Sequence, residues 1–153
     1  LHPANTLSLH DALPISELFE PLAEERGMTL ELVPSKKPAN LSGDPQLLFD
    51  AACNLLDNAI KFSPDGGRVQ VTVVADATHS GIRVKDNGPG IPQAEREAVF
   101  RRLYRSESSR HMAGNGLGLS MVSAVARLHD MTLQVQDAQP GCQIELVGKA
   151  LSV

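Results

Sequence analysis

Aromatic residues are scarce in this 153-residue chain, which has four Phe, one Tyr and no Trp. Few side chains could therefore stack on the bases of a single-stranded nucleic acid. Basic residues are not in excess either, because 14 Lys and Arg stand against 18 Asp and Glu and the formal net charge is −4. A nucleic-acid-binding domain usually has a basic face, so the composition argues against that class of protein.

Cysteine is also rare, and the two residues, Cys53 and Cys142, have no CxxC spacing. We expect both to be reduced and buried, as in a cytoplasmic protein. No apolar run approaches the roughly 18 residues that are needed to cross a bilayer. With 42% hydrophobic and 21% charged residues, the composition is typical of one globular domain. Because the chain begins at Leu1, we expect it to be a piece of a longer protein.

The first 16 residues fit neither the helical nor the strand period, and two prolines interrupt them. We expect residues 1–16 to be a foreign or disordered segment and residues 17–153 to form the domain. From Glu17 the spacing of apolar residues predicts a helix that ends at Gly27. The next segment, MTLELVP, alternates apolar and polar residues and predicts a strand that Pro34 closes.

A long helix is predicted over residues 45–62, with Asp44 as its N-cap and Pro45 at its first position. After it, the sequence predicts a hairpin of two strands at residues 68–76 and 81–86. A short helix at 93–100, a long helix at 118–129 and two final strands at 132–136 and 142–148 follow. Helices and largely antiparallel strands in this order predict an α/β fold, a two-layer α/β sandwich.

The polar residues of the predicted 45–62 helix form a single stripe beside its apolar one. This polar stripe consists of Asp50, Asn54, Asp57, Asn58 and Lys61. Amide and carboxylate oxygens are hard ligands that suit Mg²⁺, and a lysine can contact phosphate oxygens. The alternative is a solvated helix face, although asparagine argues against it because asparagine is a poor helix former.

Asp86 continues the inward-facing alternation at the end of its predicted strand. An unpaired carboxylate there is costly, and the exocyclic amine of adenine would be a suitable donor. Guanine has a carbonyl oxygen at that position, so Asp86 would favour ATP over GTP. Gly88 and Gly90 would allow positive φ and a close approach of the backbone, which makes room for a base. The alternative is an Asx-turn in which Asp86 or Asn87 only caps a loop.

The segment over about 88–116 is long for a loop, and two glycine clusters flank it. It contains five arginines, Arg96, Arg101, Arg102, Arg105 and Arg110. A mobile lid whose guanidinium groups contact phosphates would have this composition, and the alternative is a solvated charged loop. Gly114, Gly116 and Gly118 then directly precede a predicted helix, where exposed N–H groups and the helix dipole favour an anion.

Four motifs in this order resemble those of the catalytic ATP-binding domain of bacterial sensor histidine kinases, one of the Bergerat-fold ATPases. NLLDNAIKFS resembles the family's N box, DNGPGIP its G1 box, VFRRLYR its F box and GNGLGLS its G2 box, and the resemblance covers roughly residues 17–148. It implies a mixed, mainly antiparallel sheet that helices cover on one face, with a mobile ATP lid. It also implies binding of Mg²⁺ and ATP.

The resemblance further assigns residues to roles. Asn54 and Asn58 would hold Mg²⁺, and Arg105 would approach the γ-phosphate, which makes these three the catalytic residues. The nucleotide would contact Asn58, Lys61, Phe62, Asp86, Gly88, Gly90, Ile91, Tyr104, Arg105, Gly116, Leu117, Gly118 and Leu119. Hydrolytic relatives such as gyrase, mismatch-repair and chaperone ATPases carry a general-base Glu where this chain has Asp50, which we expect to tune the Mg²⁺ site.

The implied activity is transfer of the γ-phosphoryl group to a histidine on a separate dimerisation domain that is missing here. LHDALP around His10 matches the family's HELRTP only superficially, because Pro14 is one residue too close. The implied partners are that domain and a response regulator, in a homodimeric, membrane-anchored sensor of which this is a cytoplasmic domain. No contact with nucleic acid or membrane is expected. The alternatives are another Bergerat enzyme, such as a hydrolytic ATPase or an anti-sigma-factor serine kinase, and a non-catalytic nucleotide-binding module.

Overall fold

The computed structural model describes residues 6–8, 12–98 and 118–150. The strands are β1 (Thr6–Ser8), β2 (Thr29–Val33), β3 (Asn40–Ser42), β4 (Arg68–Ala75), β5 (His79–Asp86), β6 (Thr132–Asp137) and β7 (Cys142–Lys149). The helices are α1 (Ala12–Glu25), α2 (Pro45–Phe62) and α3 (Gly118–Leu128), and a short 3₁₀ helix covers Gln93–Glu95. None of the helices in these ranges is long and apolar enough to cross a membrane.

The main sheet has five strands in the order β2-β4-β5-β7-β6. Only β2 and β4 are parallel, and the other three pairs are antiparallel. One face of the sheet carries buried residues such as Val71, Ile82 and Leu146, which form a core with the helices, and the other face carries polar residues such as Arg83 and Glu145. The predicted two-layer α/β sandwich with a mixed, mainly antiparallel sheet is therefore confirmed.

Helix α2 runs along the middle of the layer that the helices form on the buried face of the sheet. The start of α2 matches the prediction. The Asp44 Oδ1 accepts hydrogen bonds from the N–H groups of Gln46 at 2.9 Å and Leu47 at 3.2 Å, and Pro45 occupies the first turn. The apolar stripe is buried, with Leu55 at 1% exposure and Ile60 at 0%. Burying a leucine or isoleucine side chain fully stabilises a fold by about 1.5–3 kcal/mol, so α2 is anchored to the sheet mainly by this stripe.

The N-terminal segment differs from the expectation. Helix α1 begins at Ala12 and not at Glu17, and Pro14 fits because it lies in the first turn, where a backbone N–H has no helical partner. Residues 6–8 form β1, which pairs with β3. Neither three-residue strand is long enough to show alternation in the sequence. That residues 1–16 are foreign in origin stays a prediction, and His10 lies outside the described residues.

The later elements follow the prediction closely. Strands β4 and β5 form the expected hairpin, although β5 begins at His79, two residues earlier than predicted. The short helix expected over 93–100 is a 3₁₀ helix over Gln93–Glu95, and residues 99 and 100 lie outside the described part. Helix α3, β6 and β7 form where they were predicted.

Neither cysteine forms a disulfide bond, as predicted. Cys142 is buried, whereas Cys53 is only half-buried, so the expectation of full burial holds for Cys142 alone. Burial raises the pKa of both thiols, and for Cys53 the nearby Asp50 and Asp57 add to this effect. Both residues therefore stay in the thiol form at neutral pH.

Candidate functional site

The polar stripe of α2 lies against the start of α3. The Asn54 Nδ2 donates to the carbonyl of Asp50 at 2.9 Å and lies 3.3 Å from the Met121 sulfur. A Cβ atom at Gly118 would lie 3.2 Å from both the Asn54 Oδ1 and the Asn58 Nδ2. Both asparagines are half-buried, so a fully solvated helix face does not describe this part of the stripe.

The Asn54 Oδ1 at this contact is suited to a hard cation, whereas Asn58 presents its Nδ2 there. The Asn54 Oδ1 receives no hydrogen bond from any residue in the described ranges, and it points at the first residue of α3. In those same ranges no three carboxylate, imidazole or thiol groups come together as a metal cluster. Mg²⁺ usually takes only one or two protein ligands and completes its shell with water and phosphate. The Asn54 oxygen therefore fits such an ion when a phosphate-bearing ligand accompanies it, and Asn58 would join it once its amide turned its oxygen to the same side.

The charged residues of the stripe have partners within α2. The Lys61 Nζ lies 2.8 Å from the Asp57 Oδ2, one turn earlier. The Asp50 Oδ1 accepts a hydrogen bond from the Gln46 Nε2 at 2.9 Å. Lys61 is exposed at the end of α2, where a phosphate could share or replace its carboxylate partner.

Asp86 lies at the end of β5 and points inward, as predicted. Its Oδ1 accepts hydrogen bonds from the N–H of Gly88 at 2.9 Å and the N–H of Cys142 at 3.3 Å. Burial raises the pKa of the Asp86 carboxyl, and the two hydrogen bonds offset this only in part. The bond to Gly88 is the one that the Asx-turn alternative requires, so that alternative is correct in part. Within the described residues no cation pairs with Asp86.

Two glycines after Asp86 allow close backbone contacts. A Cβ at Gly88 would lie 2.5 Å from the carbonyl oxygen of Phe62, the last residue of α2. Gly90 has a φ of +78°, and a Cβ there would lie 2.9 Å from the carbonyl oxygen of Gly141. The loop after β5 is thus held between the end of α2 and the start of β7, and glycine is required at both positions.

The structure brings the described site residues into two groups along α2. Asn54 and Asn58 meet Gly118, and one turn later Phe62 meets the loop of Gly88 that follows Asp86. Ile91 and Leu119 are half-buried and pack against the core. The remaining predicted residues, Tyr104, Arg105, Gly116 and Leu117, lie outside the described part of the chain, as does most of the predicted lid.

Three contributors to the site were not predicted from the sequence. Cys142 donates its backbone N–H to Asp86, Met121 contacts Asn54, and the Asn87 Oδ1 accepts a hydrogen bond from the N–H of Arg68 at 2.9 Å. Burial next to the Asp86 carboxylate raises the pKa of the Cys142 thiol to about 12. Asn87 lies within DNGPGIP and Met121 directly follows GNGLGLS, which is a sequence signal for these two. Cys142 lies near no motif, and the pairing of β5 with β7 that brings it to Asp86 is not visible in the sequence.

Comparison with known proteins agrees with the four motifs. The family described as histidine kinase-, DNA gyrase B-, and HSP90-like ATPase matches residues 43–149. This range contains α2, the β4–β5 hairpin and α3, which are the elements that form the site. The chain belongs to this ATPase family.

Curated relatives narrow this assignment. The signal transduction histidine-protein kinase/phosphatase MprB of Mycolicibacterium vanbaalenii is 41% identical over 138 residues, which are 88% of this chain and 28% of that protein. MprB of a Mycobacterium species is 51% identical over 100 residues, 65% of this chain and 19% of that protein. The chain therefore spans less than a third of the length of these relatives.

Solved structures agree with the fold. A mycobacterial sensor histidine kinase MprB structure has 35% identity and a TM-score of 0.80, and the match covers 97% of this chain and 98% of that one. The catalytic domain of the histidine kinase ThkA, in a nucleotide-free form, has 18% identity and a TM-score of 0.83, with 95% of each chain covered, and supports the fold alone. The predicted Bergerat fold is confirmed, and the domain is the ATPase domain of a sensor histidine kinase.

Proposed function

We propose that this domain binds ATP together with Mg²⁺ and supplies the γ-phosphoryl group to a histidine on a separate dimerisation domain. The observation that carries the proposal is that α2 contributes to both ends of the site. Its last residue, Phe62, meets the glycine loop after Asp86, and one turn earlier Asn58 meets the start of α3 at Gly118. A nucleotide with its base at the first place and its phosphates at the second would lie along the end of this helix.

The base would be read by Asp86. Both hydrogen bonds that this carboxylate accepts from the described residues reach Oδ1, so Oδ2 would accept from the exocyclic amine of adenine. Guanine would present a carbonyl oxygen instead, and two facing acceptors in a buried place repel each other. A largely buried carboxylate without a cation partner is costly, and a bound adenine would provide the missing donor.

The phosphates would lie between the stripe and α3. Asn54 and Asn58 would hold Mg²⁺, which when bound supplies positive charge that stabilises the triphosphate. Lys61 would add a second cation from the same helix. The positive end of the α3 dipole favours an anion at Gly118. Arg105 at the γ-phosphate, and Tyr104, Gly116 and Leu117 at the nucleotide, remain proposals from the family resemblance.

The chemistry would depend on positioning. In the transfer, the bond between the γ-phosphorus and the oxygen of ADP breaks while a bond to the acceptor histidine nitrogen forms. Water is a poor competitor in this site, because Asp50 is a shorter side chain than the glutamate of hydrolytic relatives and its Oδ1 already accepts a hydrogen bond from Gln46. We therefore expect the isolated domain to hydrolyse ATP slowly or not at all.

The wider setting is proposed from the relatives alone. These relatives are named signal transduction histidine-protein kinase/phosphatase MprB. The partners of the full-length protein would be a histidine-containing dimerisation domain and a response regulator. It would act as a homodimeric, membrane-anchored sensor in which this domain is cytoplasmic.

Phosphoryl transfer to a histidine domain supplied in trans tests the proposal. The purified domain would be mixed with γ-labelled ATP, Mg²⁺ and the dimerisation domain of an MprB relative. We expect acid-labile label on that domain, and loss of label in Asn58→Ala but not in the surface control Gln134→Ala. Nucleotide binding without transfer would favour the non-catalytic module, and rapid release of inorganic phosphate would favour a hydrolytic ATPase.

A further inference from the structure

Arg26 follows α1 directly, lies outside all four family motifs, and reaches across to the end of α2. Its two terminal guanidinium nitrogens donate hydrogen bonds to the carbonyl oxygens of Ile60 and Ser63. Its Nε donates to the Asp65 Oδ1 at 2.9 Å. The Arg26 side chain is 25% exposed, whereas the side chain of Asp65 is 83% exposed. The two carbonyl contacts are therefore the more protected part of this arrangement.

These contacts satisfy the end of α2, where the last carbonyl groups have no partner within the helix. A cation at this position also complements the negative end of the helix dipole. The buried Ser63 Oγ donates to the carbonyl of Ala59 at 2.7 Å. The Arg26 carbonyl in turn accepts from the N–H of Gly66 at 2.9 Å. Arg26 thus fixes both the last turn of α2 and the turn that leads into β4.

The segment that Arg26 holds is also the support of the loop after Asp86. Phe62, which lies between the two carbonyl groups bound by Arg26, is the residue whose own carbonyl meets Gly88. On the other side, a Cβ at Gly67 would lie 2.8 Å from the Asn87 Oδ1. Both Asn87 and Gly88 therefore rest on the end of α2 and on the turn that follows it.

We propose that Arg26 is a positioning residue for nucleotide binding, which fixes the end of α2 and thereby the loop that orients Asp86. This inference rests on the proposed function, because it assigns Arg26 a role in the ATP site. Arg26 would not touch the nucleotide, since its donors are directed at Ile60, Ser63 and Asp65. Its effect would come from geometry, because small displacements of a supporting group can weaken a site strongly.

The test compares Arg26→Met with Arg26→Lys, Asp65→Ala and Arg127→Met. Lysine keeps the charge but cannot bridge two carbonyls as a guanidinium fork does. Asp65→Ala removes only the exposed contact, and Arg127 is an exposed arginine in the last turn of α3. Calorimetric titration with Mg²⁺ and ATP, on samples shown to be folded by urea unfolding, should give about tenfold weaker affinity for Arg26→Met. Arg26→Lys should be intermediate, and the two controls should match the wild type.

A folded Arg26→Met variant with wild-type affinity for ATP would overturn the inference, even if its urea midpoint were lower. If Arg26→Met does not fold, the affinity of Arg26→Lys for ATP is the test. Weaker binding than the wild type would support the inference, and wild-type affinity would overturn it. If the wild type itself binds no ATP, the proposed function fails, and the amide NMR signals of Asn87 and Gly88 without nucleotide decide about Arg26. Signals that move in Arg26→Met but not in Arg127→Met would support the positioning role, and unchanged signals would overturn it.

Discussion

The two ends of α2 are held in different ways. At the first end, the Asp44 side chain caps the helix, and the Asp44 backbone N–H donates to the His129 Nε2 at 3.0 Å. The His129 Nδ1 in turn donates to the carbonyl of Val125 at 2.8 Å, which ties the start of α2 to the end of α3. At the second end, the guanidinium of Arg26 binds the carbonyls of Ile60 and Ser63.

This difference follows from the helix itself. The start of a helix has free N–H groups and needs acceptors, whereas its end has free carbonyls and needs donors, preferably cationic ones. In this domain α3 supplies the acceptor and the end of α1 supplies the cation. The polar stripe between the two ends is therefore carried by a helix that both neighbouring helices fix, which suits a site that must hold its ligand in one geometry.

The largest effect should come from a change that loosens both ends together. Leu55 lies on the buried stripe of α2 at 1% exposure. Leu55→Ala should lower the free energy of unfolding by about 2–5 kcal/mol, because it removes buried apolar surface and leaves a cavity. Urea unfolding followed by circular dichroism measures this, with the exposed Leu18→Ala as the control. A loss below the range for Leu55→Ala would show that α2 is not anchored by its apolar stripe.

Loss of His129 should loosen the first end alone. His129→Ala removes two hydrogen bonds, the one from the Asp44 N–H and the one to the Val125 carbonyl. At about 0.5–1.5 kcal/mol for each bond, we expect a loss of about 1–3 kcal/mol in the free energy of unfolding. The exposed His79→Ala is the matched control and should change stability little. Equal losses in the two variants would contradict a special role for the contact between α3 and Asp44.

Loss of the Asp44 side-chain cap should destabilise the same end of α2, but less than loss of His129 does. Asp44→Ala removes the acceptor for the N–H groups of Gln46 and Leu47 but keeps the backbone bond to His129. N-cap replacements of this kind cost about 1 kcal/mol. Thermal or urea unfolding should place this variant between the wild type and His129→Ala, and a reversed order of the two variants would show that the side-chain cap dominates.

Asp86→Asn should raise the free energy of unfolding at pH 7, whereas the three changes above should lower it. Burial raises the pKa of this carboxyl in the folded state, so the folded protein binds a proton more readily than the unfolded chain does. The stability of the unliganded wild type should therefore rise as the pH falls through the raised pKa of the folded state toward the lower pKa of the unfolded chain. Asn keeps an acceptor but carries no charge, so the variant should be slightly more stable at pH 7 and should lack this part of the pH dependence.

Urea unfolding from pH 7 to pH 4 without nucleotide measures both effects. Asp137→Asn, at an exposed position, is the control for a general charge effect. A variant that is less stable than the wild type at pH 7 would show that the hydrogen bonds of Asp86 outweigh its burial.

The comparison of the two ends also shows what could be predicted from the sequence. Asp44, Pro45 and the polar stripe depend on neighbours within a few residues, and the inward orientation of Asp86 follows from strand alternation. The four motifs added the family, its fold and the expected roles of the site residues. Local pattern and family resemblance were therefore sufficient for most of the elements, and the roles that they assign to the site residues stay predictions.

What could not be predicted depends on distant pairs. Arg26 and the carbonyl of Ser63 are 37 positions apart, Asp86 and Cys142 are 56 apart, and Asp44 and His129 are 85 apart. Each contact requires the complete sheet and helix packing before the partners meet. The pairing of β1 with β3 was missed for the same reason, since two three-residue strands show no alternation but pair once the fold brings them together.

The most direct test of the nucleotide site is calorimetric titration of the wild-type domain with ATP and with GTP, each with and without Mg²⁺. We predict that ATP binds, that Mg²⁺ strengthens its binding, and that GTP binds far more weakly because Asp86 faces the amine position of adenine. A folded domain that binds neither nucleotide, or that binds both equally well, would contradict the roles assigned to Asp86 and to the asparagines of α2.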